Sequence, residues 1–298
     1  SFKLDRYTYQ ITSRGGQTIY SISDGERTIA EPILWCFGRG EIAYTFVIRH
    51  QGAFYETRLS FYNQSQRLDF TPGAPRDVPL SLADAVGQPM NEQEARSCFG
   101  CHTTPAPGAV GLQLDHVDPG VGCESCHGPG ENHPAATKNG RRDKVGRLID
   151  TRIFNPQRMS PDDLTQQLCG KCHRSWDQVM RMPERHQVVN VRFQPYRIAK
   201  SKCYRSLEDT RISCTACHNP HEDLKRDAAF YDAKCLACHR SAGMTAKNEV
   251  GKRTAPACPT GKSNCVSCHM PRIEVPEMHF KFTDHNIRIV KAGEEYPR

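Results

Sequence analysis

Residues 123–133 read CESCHGPGENH, with two cysteines three apart, a histidine directly after the second, and another histidine six residues later. Alone, this stretch is compatible with a zinc knuckle, a thiol redox pair or a porphyrin attachment point. It does not stand alone. C-x-x-C-H occurs six times: Cys98–Cys101–His102, Cys123–Cys126–His127, Cys169–Cys172–His173, Cys214–Cys217–His218, Cys235–Cys238–His239 and Cys265–Cys268–His269. With 15 Cys and 13 His in 298 residues, chance supplies roughly 0.03 copies. The six copies use 12 of the 15 cysteines.

The spacing selects among the chemistries. Structural zinc sites pair two Cys-bearing knuckles and do not require His after every second Cys. A thioredoxin-like thiol pair occurs once, near a βαβ pattern. C-x-x-C-H is the attachment signature of c-type haem. Two thiols on one short turn add across the two vinyl groups of one porphyrin, and the next residue presents its imidazole to the iron. The sequence therefore predicts six covalently bound haem c, with His102, His127, His173, His218, His239 and His269 as proximal ligands.

The bulk numbers fit that reading. Hydrophobic content is 37% and mean hydropathy is −0.64, polar for a chain that must build its own core. Flat apolar porphyrins can supply the core instead. The motifs span 172 residues, fewer than 30 per haem. The net charge of +7 alone hints at an anionic partner. Twelve propionates and six ferric porphyrins bring the total to roughly +1 oxidised and −5 reduced, so the basic excess is assigned to the propionates. No nucleic-acid partner is expected.

No run of 18 apolar residues occurs, so no membrane span is expected. The chain begins at Ser1 without a signal-peptide pattern. Because haem is attached covalently outside the cytoplasmic membrane, an export signal or longer N-terminus is expected to have been removed, and the compartment to be periplasmic or extracellular.

The first 70 residues contain no motif and read as strands. RYTYQI, TIYSI, IAYTFVIRH and AFYETRLSFY are rich in β-branched and aromatic residues, with Gln51-Gly52 as a hairpin tip. Residues 71–90, TPGAPRDVPLSLADAVGQPM, read as a Pro- and Gly-punctuated linker. The expected architecture is a β-rich module with linker over 1–85, then a hexahaem domain over 86–298. The fold class is a multihaem cytochrome c, with loops and short α-helices wrapped around six haems and a small antiparallel β module in front.

Helix-start signals precede several motifs: Asn91 with Glu94 before Cys98, Ser160-Pro161-Asp162-Asp163 before Cys169, and RDAAFYDAKC into Cys235. Motif starts are 25, 46, 45, 21 and 30 residues apart. This is no strict repeat, and it predicts close pairing of the first haem with the second and of the fourth with the fifth.

Seven histidines remain as candidates for the distal faces: His50, His116, His133, His186, His221, His279 and His285. Seven for six irons favours bis-histidine ligation throughout, with Met180, Met182, Met244 and Met278 as competitors. His221, three residues after His218, cannot cross its own porphyrin and must serve a different iron; a similar argument applies to His133 and His127. His50, if it binds iron, clamps the β region to the haem region. Cys203 and Cys258 are candidates for a disulfide, with thiolate ligation by Cys203 and free buried thiols as the alternatives. Cys36, beside Trp35, reads as a small core residue.

CESCHGPGENH, CTACHNPH, and CVSCHMP followed by FTDH resemble the multihaem cytochromes c that include hydroxylamine oxidoreductase, pentahaem nitrite reductase and their electron-carrier relatives, over about residues 95–290. The resemblance implies that His133 and His221 bind neighbouring haems. Relatives often carry S-x-H shortly before the CTACHNPH-type motif; here the phrase is SKC, with Cys203 in that place and His186 as the substitute ligand.

Three functions compete: an electron-transfer cytochrome, a reductase or oxidase of nitrogen or sulfur compounds, and a subunit of an extracellular haem polymer. Haem catalysis needs an open iron position. The nitrite reductases use a C-x-x-C-K haem for this, a motif absent here, and seven spare histidines can close every site. Electron transfer is therefore the expected function, with no catalytic residue assigned. The expected partners are other redox proteins or copies of the same chain in a homo-polymer.

Overall fold

The computed structural model describes residues 1–104, 117–146, 149, 152–183, 187–204, 211–239, 258–259, 261, 263–291 and 293. They belong to two compact units, Ser1–Ser125 with Val275–Phe280, and Cys126–Glu274 with Lys281–Arg298.

The first unit is built on an antiparallel sheet of nine strands: β1 (Phe2–Leu4), β2 (Tyr7–Arg14), β3 (Gln17–Ser23), β4 (Thr28–Phe37), β5 (Ala43–His50), β6 (Ala53–Thr57), β7 (Leu59–Tyr62), β8 (Arg67–Phe70) and β9 (Gly87–Pro89). The order is β1-β2-β3-β4-β5-β6-β9, with β7 joining β5 to β8. Strand alternation selects one buried face, where Tyr7, Tyr9, Tyr20 and Ile22 meet Ile48, Leu59, Leu68 and Phe70. The expected hairpin tip is present: Gln51 and Gly52 both have positive φ, 50° and 86°, as a two-residue turn with the right twist requires.

Three sequence readings change here. AFYETRLSFY is two strands, because the chain breaks at Arg58, whose buried guanidinium donates to the Asp77 carbonyl. Residues 71–90 are packed: Leu82, Ala85 and Val86 are buried in the main core, and β9 pairs with β6 through Thr57↔Gly87. Gly87 has φ +146°, and a Cβ there would lie 2.1 Å from the Glu56 carbonyl oxygen, so this edge accepts only glycine. Cys36 is exposed. Period-two alternation turns Phe37 inward beside half-buried Trp35 and leaves Cys36 on the opposite face.

Helix α1 (Glu92–His102) packs on this unit. Asn91 caps it reciprocally with Glu94, at 2.9 Å in both directions, as the sequence signature predicts. Its Phe99 is fully buried and sits edge-on to Trp35 at 5.1 Å and to Phe37 at 5.0 Å. The variable position of the first motif thus anchors the motif to the sheet.

In the second unit regular structure is sparse. Its longest α-helix among the described residues is Ala228–Leu236, nine residues capped by Asp227. Ser160 caps the turn Pro161–Asp163, which continues through a π-helical stretch, Leu164–Cys169, into Gly170–His173. The apolar cluster formed by Val179, Phe193 and Tyr196, with Trp176 and Met182 against it, is small. Phe99→Ala should cost about 3–5 kcal/mol in the first unit, while Phe99→Leu should cost clearly less; denaturant unfolding followed by tryptophan fluorescence measures both.

Candidate haem-binding site

The six motifs are carried on short helical turns. His102 ends α1 and lies against Phe37, with ring centres 4.7 Å apart. The other motifs sit on Glu124–His127, Gly170–His173, Cys214–Cys217, Ala228–Leu236 and Cys265–His269. One such turn brings both thiols and the following imidazole to one side of the chain. The last is capped from another motif's helix: Asp232, on Ala228–Leu236, accepts N–H bonds from Asn264 at 2.6 Å and Cys265 at 2.7 Å. Those bonds hold the Asp232 carboxyl below its ordinary range.

Several motifs lie against one another in the second unit. The turn Cys214–Cys217 packs on Leu164–Cys169, which ends in the third motif's first cysteine. It also packs on Ala228–Leu236, which carries Cys235, and that helix packs in turn on Cys265–His269. The fourth and fifth motifs are neighbours, as the 21-residue gap suggests. The third and fourth are also neighbours, which their 45-residue gap conceals.

Metal–imidazole bonds are about 2 Å and a ring centre lies roughly 1.2 Å behind its nitrogen, so two imidazoles on opposite sides of one iron have centres about 6 Å apart. Two histidine pairs meet this condition. His127 and His221 have ring centres 6.0 Å apart and planes 15° apart. His218 and His285 have centres 6.2 Å apart and planes 38° apart. Each pair joins one motif histidine with one spare histidine, the combination that six-coordinate iron requires. His221 faces the second motif's imidazole rather than that of its neighbour His218.

The tautomers fit as well. His127 Nδ1 lies 2.9 Å from the Phe154 carbonyl, His269 Nδ1 2.8 Å from the Arg288 carbonyl, and His285 Nδ1 3.0 Å from the Thr283 carbonyl. A carbonyl can only accept, so each Nδ1 carries the proton and each Nε2 has a lone pair for metal. Burial lowers the pKa of His102, His173 and His218, and drops that of His285 to about 4. Neutral imidazole is the form that ligates.

The remaining candidates are placed differently. His50 ends β5 and is buried, its Nδ1 2.8 Å from Glu31 Oε1; its Nε2 is buried with no hydrogen-bond partner among the described residues. His279 presents Nε2 to Asp69 Oδ2 at 2.7 Å and its ring edge to Tyr62 at 4.7 Å. Neither contact is legible in the sequence: Asp69 lies 210 residues from His279, and Glu31 meets His50 only through the register of β4 on β5. His133 begins the helix His133–Asn139, and His239 follows Ala228–Leu236 at the fifth motif. His116, His186 and Met244 lie outside the described residues. Cys203, one of the two cysteines considered for a disulfide, is half-buried, and Cys258 is exposed. Burial raises the pKa of the Cys203 thiol.

Comparison with known proteins gives two findings. A family described as "Cytochrome c554 and c-prime" matches residues 79–128, covering the first and second motifs. Over 222 residues the chain is 26% identical to the high-molecular-weight cytochrome c of Nitratidesulfovibrio vulgaris, covering 74% of this chain and 35% of that protein. The chain thus spans about a third of the length of the curated relative it matches. No solved structure matches. These similarities support a multihaem cytochrome c. No helix among the described residues is long and apolar enough to cross a membrane.

His221→Ala and His285→Ala should each convert one low-spin ferric haem to high-spin and create one carbon monoxide site on reduction. Electron paramagnetic resonance and optical titration read both.

Proposed function

We propose that the chain is a hexahaem c-type cytochrome that transfers electrons through closely packed bis-histidine haems in the periplasm or at the cell exterior. Its partners are other redox proteins or further copies of itself, assembled as a haem filament. The observation that carries this reading is the pairing of motif with spare imidazoles at the separation that one iron requires. Covalent haem supplies reversible one-electron chemistry.

The chain's own residues do the rest. The twelve motif cysteines hold the macrocycles and the six motif histidines are proximal ligands. His221 closes the iron of His127, and His285 closes the iron of His218. The other four irons draw on His50, His116, His133, His186 and His279. Since His218 and His221 are three residues apart and face different partners, one short segment ties the second and fourth haems together. The packing of the motif-bearing turns on one another supports extending the series from the third motif through the fourth and fifth to the sixth. Such a series favours passage of electrons over chemistry at one centre.

The oxidised protein should therefore show only low-spin ferric haem, unchanged by nitrite or hydroxylamine, and should take up about six electrons reversibly. A high-spin component that shifts with either compound would favour the multihaem oxidoreductase instead.

A further inference from the structure

The segment Thr283–Arg288 is held at almost every residue, and what holds it connects two haem-ligating imidazoles. Asp284 is fully buried and receives both arms of the fully buried Arg197, at 2.8 Å each. The same carboxylate accepts from Arg288 Nη1 at 2.7 Å and from the Asn286 N–H at 3.0 Å. Ser201, also fully buried, donates to the His285 carbonyl at 3.1 Å and accepts from the Ile287 N–H at 2.8 Å. Arg288 then meets His269 from both sides: its N–H donates to the His269 carbonyl at 3.2 Å, and its carbonyl accepts from His269 Nδ1 at 2.8 Å.

Two guanidiniums on one buried carboxylate are a poor way to gain stability, because desolvation opposes the Coulomb attraction. The arrangement does fix geometry. We infer that Arg197, Asp284 and Ser201 are positioning residues that set the axial ligation of two haems at once. They seat His285 opposite His218 and aim the Arg288 carbonyl at Nδ1 of His269. The first action keeps the fourth-motif iron six-coordinate. The second tunes the sixth-motif iron, because the hydrogen bond to Nδ1–H controls how strongly the imidazole donates to metal.

This inference rests on the proposed haem ligation, and a reference variant separates the two. His285→Ala should open one iron, giving one high-spin signal and one carbon monoxide site; if it does not, the ligation reading fails. The test variant is Arg197→Met with Asp284→Leu, which removes the buried charges while roughly keeping volume. In the intact, haem-loaded chain it should reproduce the open-site signature of His285→Ala. It should also shift the midpoint potential of a second haem, with the other four redox steps unchanged. Ser201→Ala should move the same two steps by less, and it decides the matter if the double variant does not fold. Six wild-type midpoints with all irons low-spin in a folded double variant would overturn the inference. So would a uniform shift of all six steps, or an unmoved Ser201→Ala.

Discussion

An iron held on both faces by imidazole demands two rings about 6 Å apart, centre to centre, on segments that need not be close in sequence. Much of the second unit can be understood from that demand. The proximal ring comes with its thiols on one helical turn, so its position follows from the local chain. The distal ring comes from elsewhere, and the chain must run to it. Helices of four to nine residues and turns rich in proline and glycine serve this purpose better than long regular elements. The low hydrophobic content fits the same proposal, in which apolar macrocycles would replace side chains in the interior.

The rings are supported one layer out. Backbone carbonyls of Thr283, Phe154 and Arg288 fix three tautomers. Asp232 uses the backbone N–H groups ahead of one motif to tie it to the helix of another. Such bonds orient the imidazoles and fix the motif helix, so the scaffold resists drift in ligand geometry. The first unit works differently. Its sheet has an aromatic core of its own, and α1 docks on it through Phe99.

The six C-x-x-C-H motifs stand out because six copies of a five-residue pattern cannot arise by chance, and the helix caps before Cys98, Cys169 and Cys235 were legible because capping is local. Reach alone argues that His221 cannot share an iron with His218, but the imidazole beside it, His127, required the fold. The contact between the third and fourth motifs lay beyond sequence reading, since 45 residues of chain impose no distance. Cys36 was misjudged because hydrophobicity says little about which face of a strand a residue occupies; the alternation set by Phe37 decides that. Residues 71–90 looked like a linker because turn residues dominate, yet Leu82, Ala85 and Val86 were enough to fold the stretch into the core. Asp69 beside His279 lies on a strand that only the fold brings close, whereas Glu31 meets His50 through the register of two neighbouring strands.

The central claim is that porphyrin is carried covalently at all six C-x-x-C-H turns. The mass of the intact, denatured chain, produced in a host that matures c-type cytochromes, measures this directly. The account predicts an excess of six haem masses over the polypeptide, lost one at a time as the cysteine pairs are replaced by alanine. An excess of fewer than six haem masses from fully matured protein, or bound zinc in their place, would contradict it.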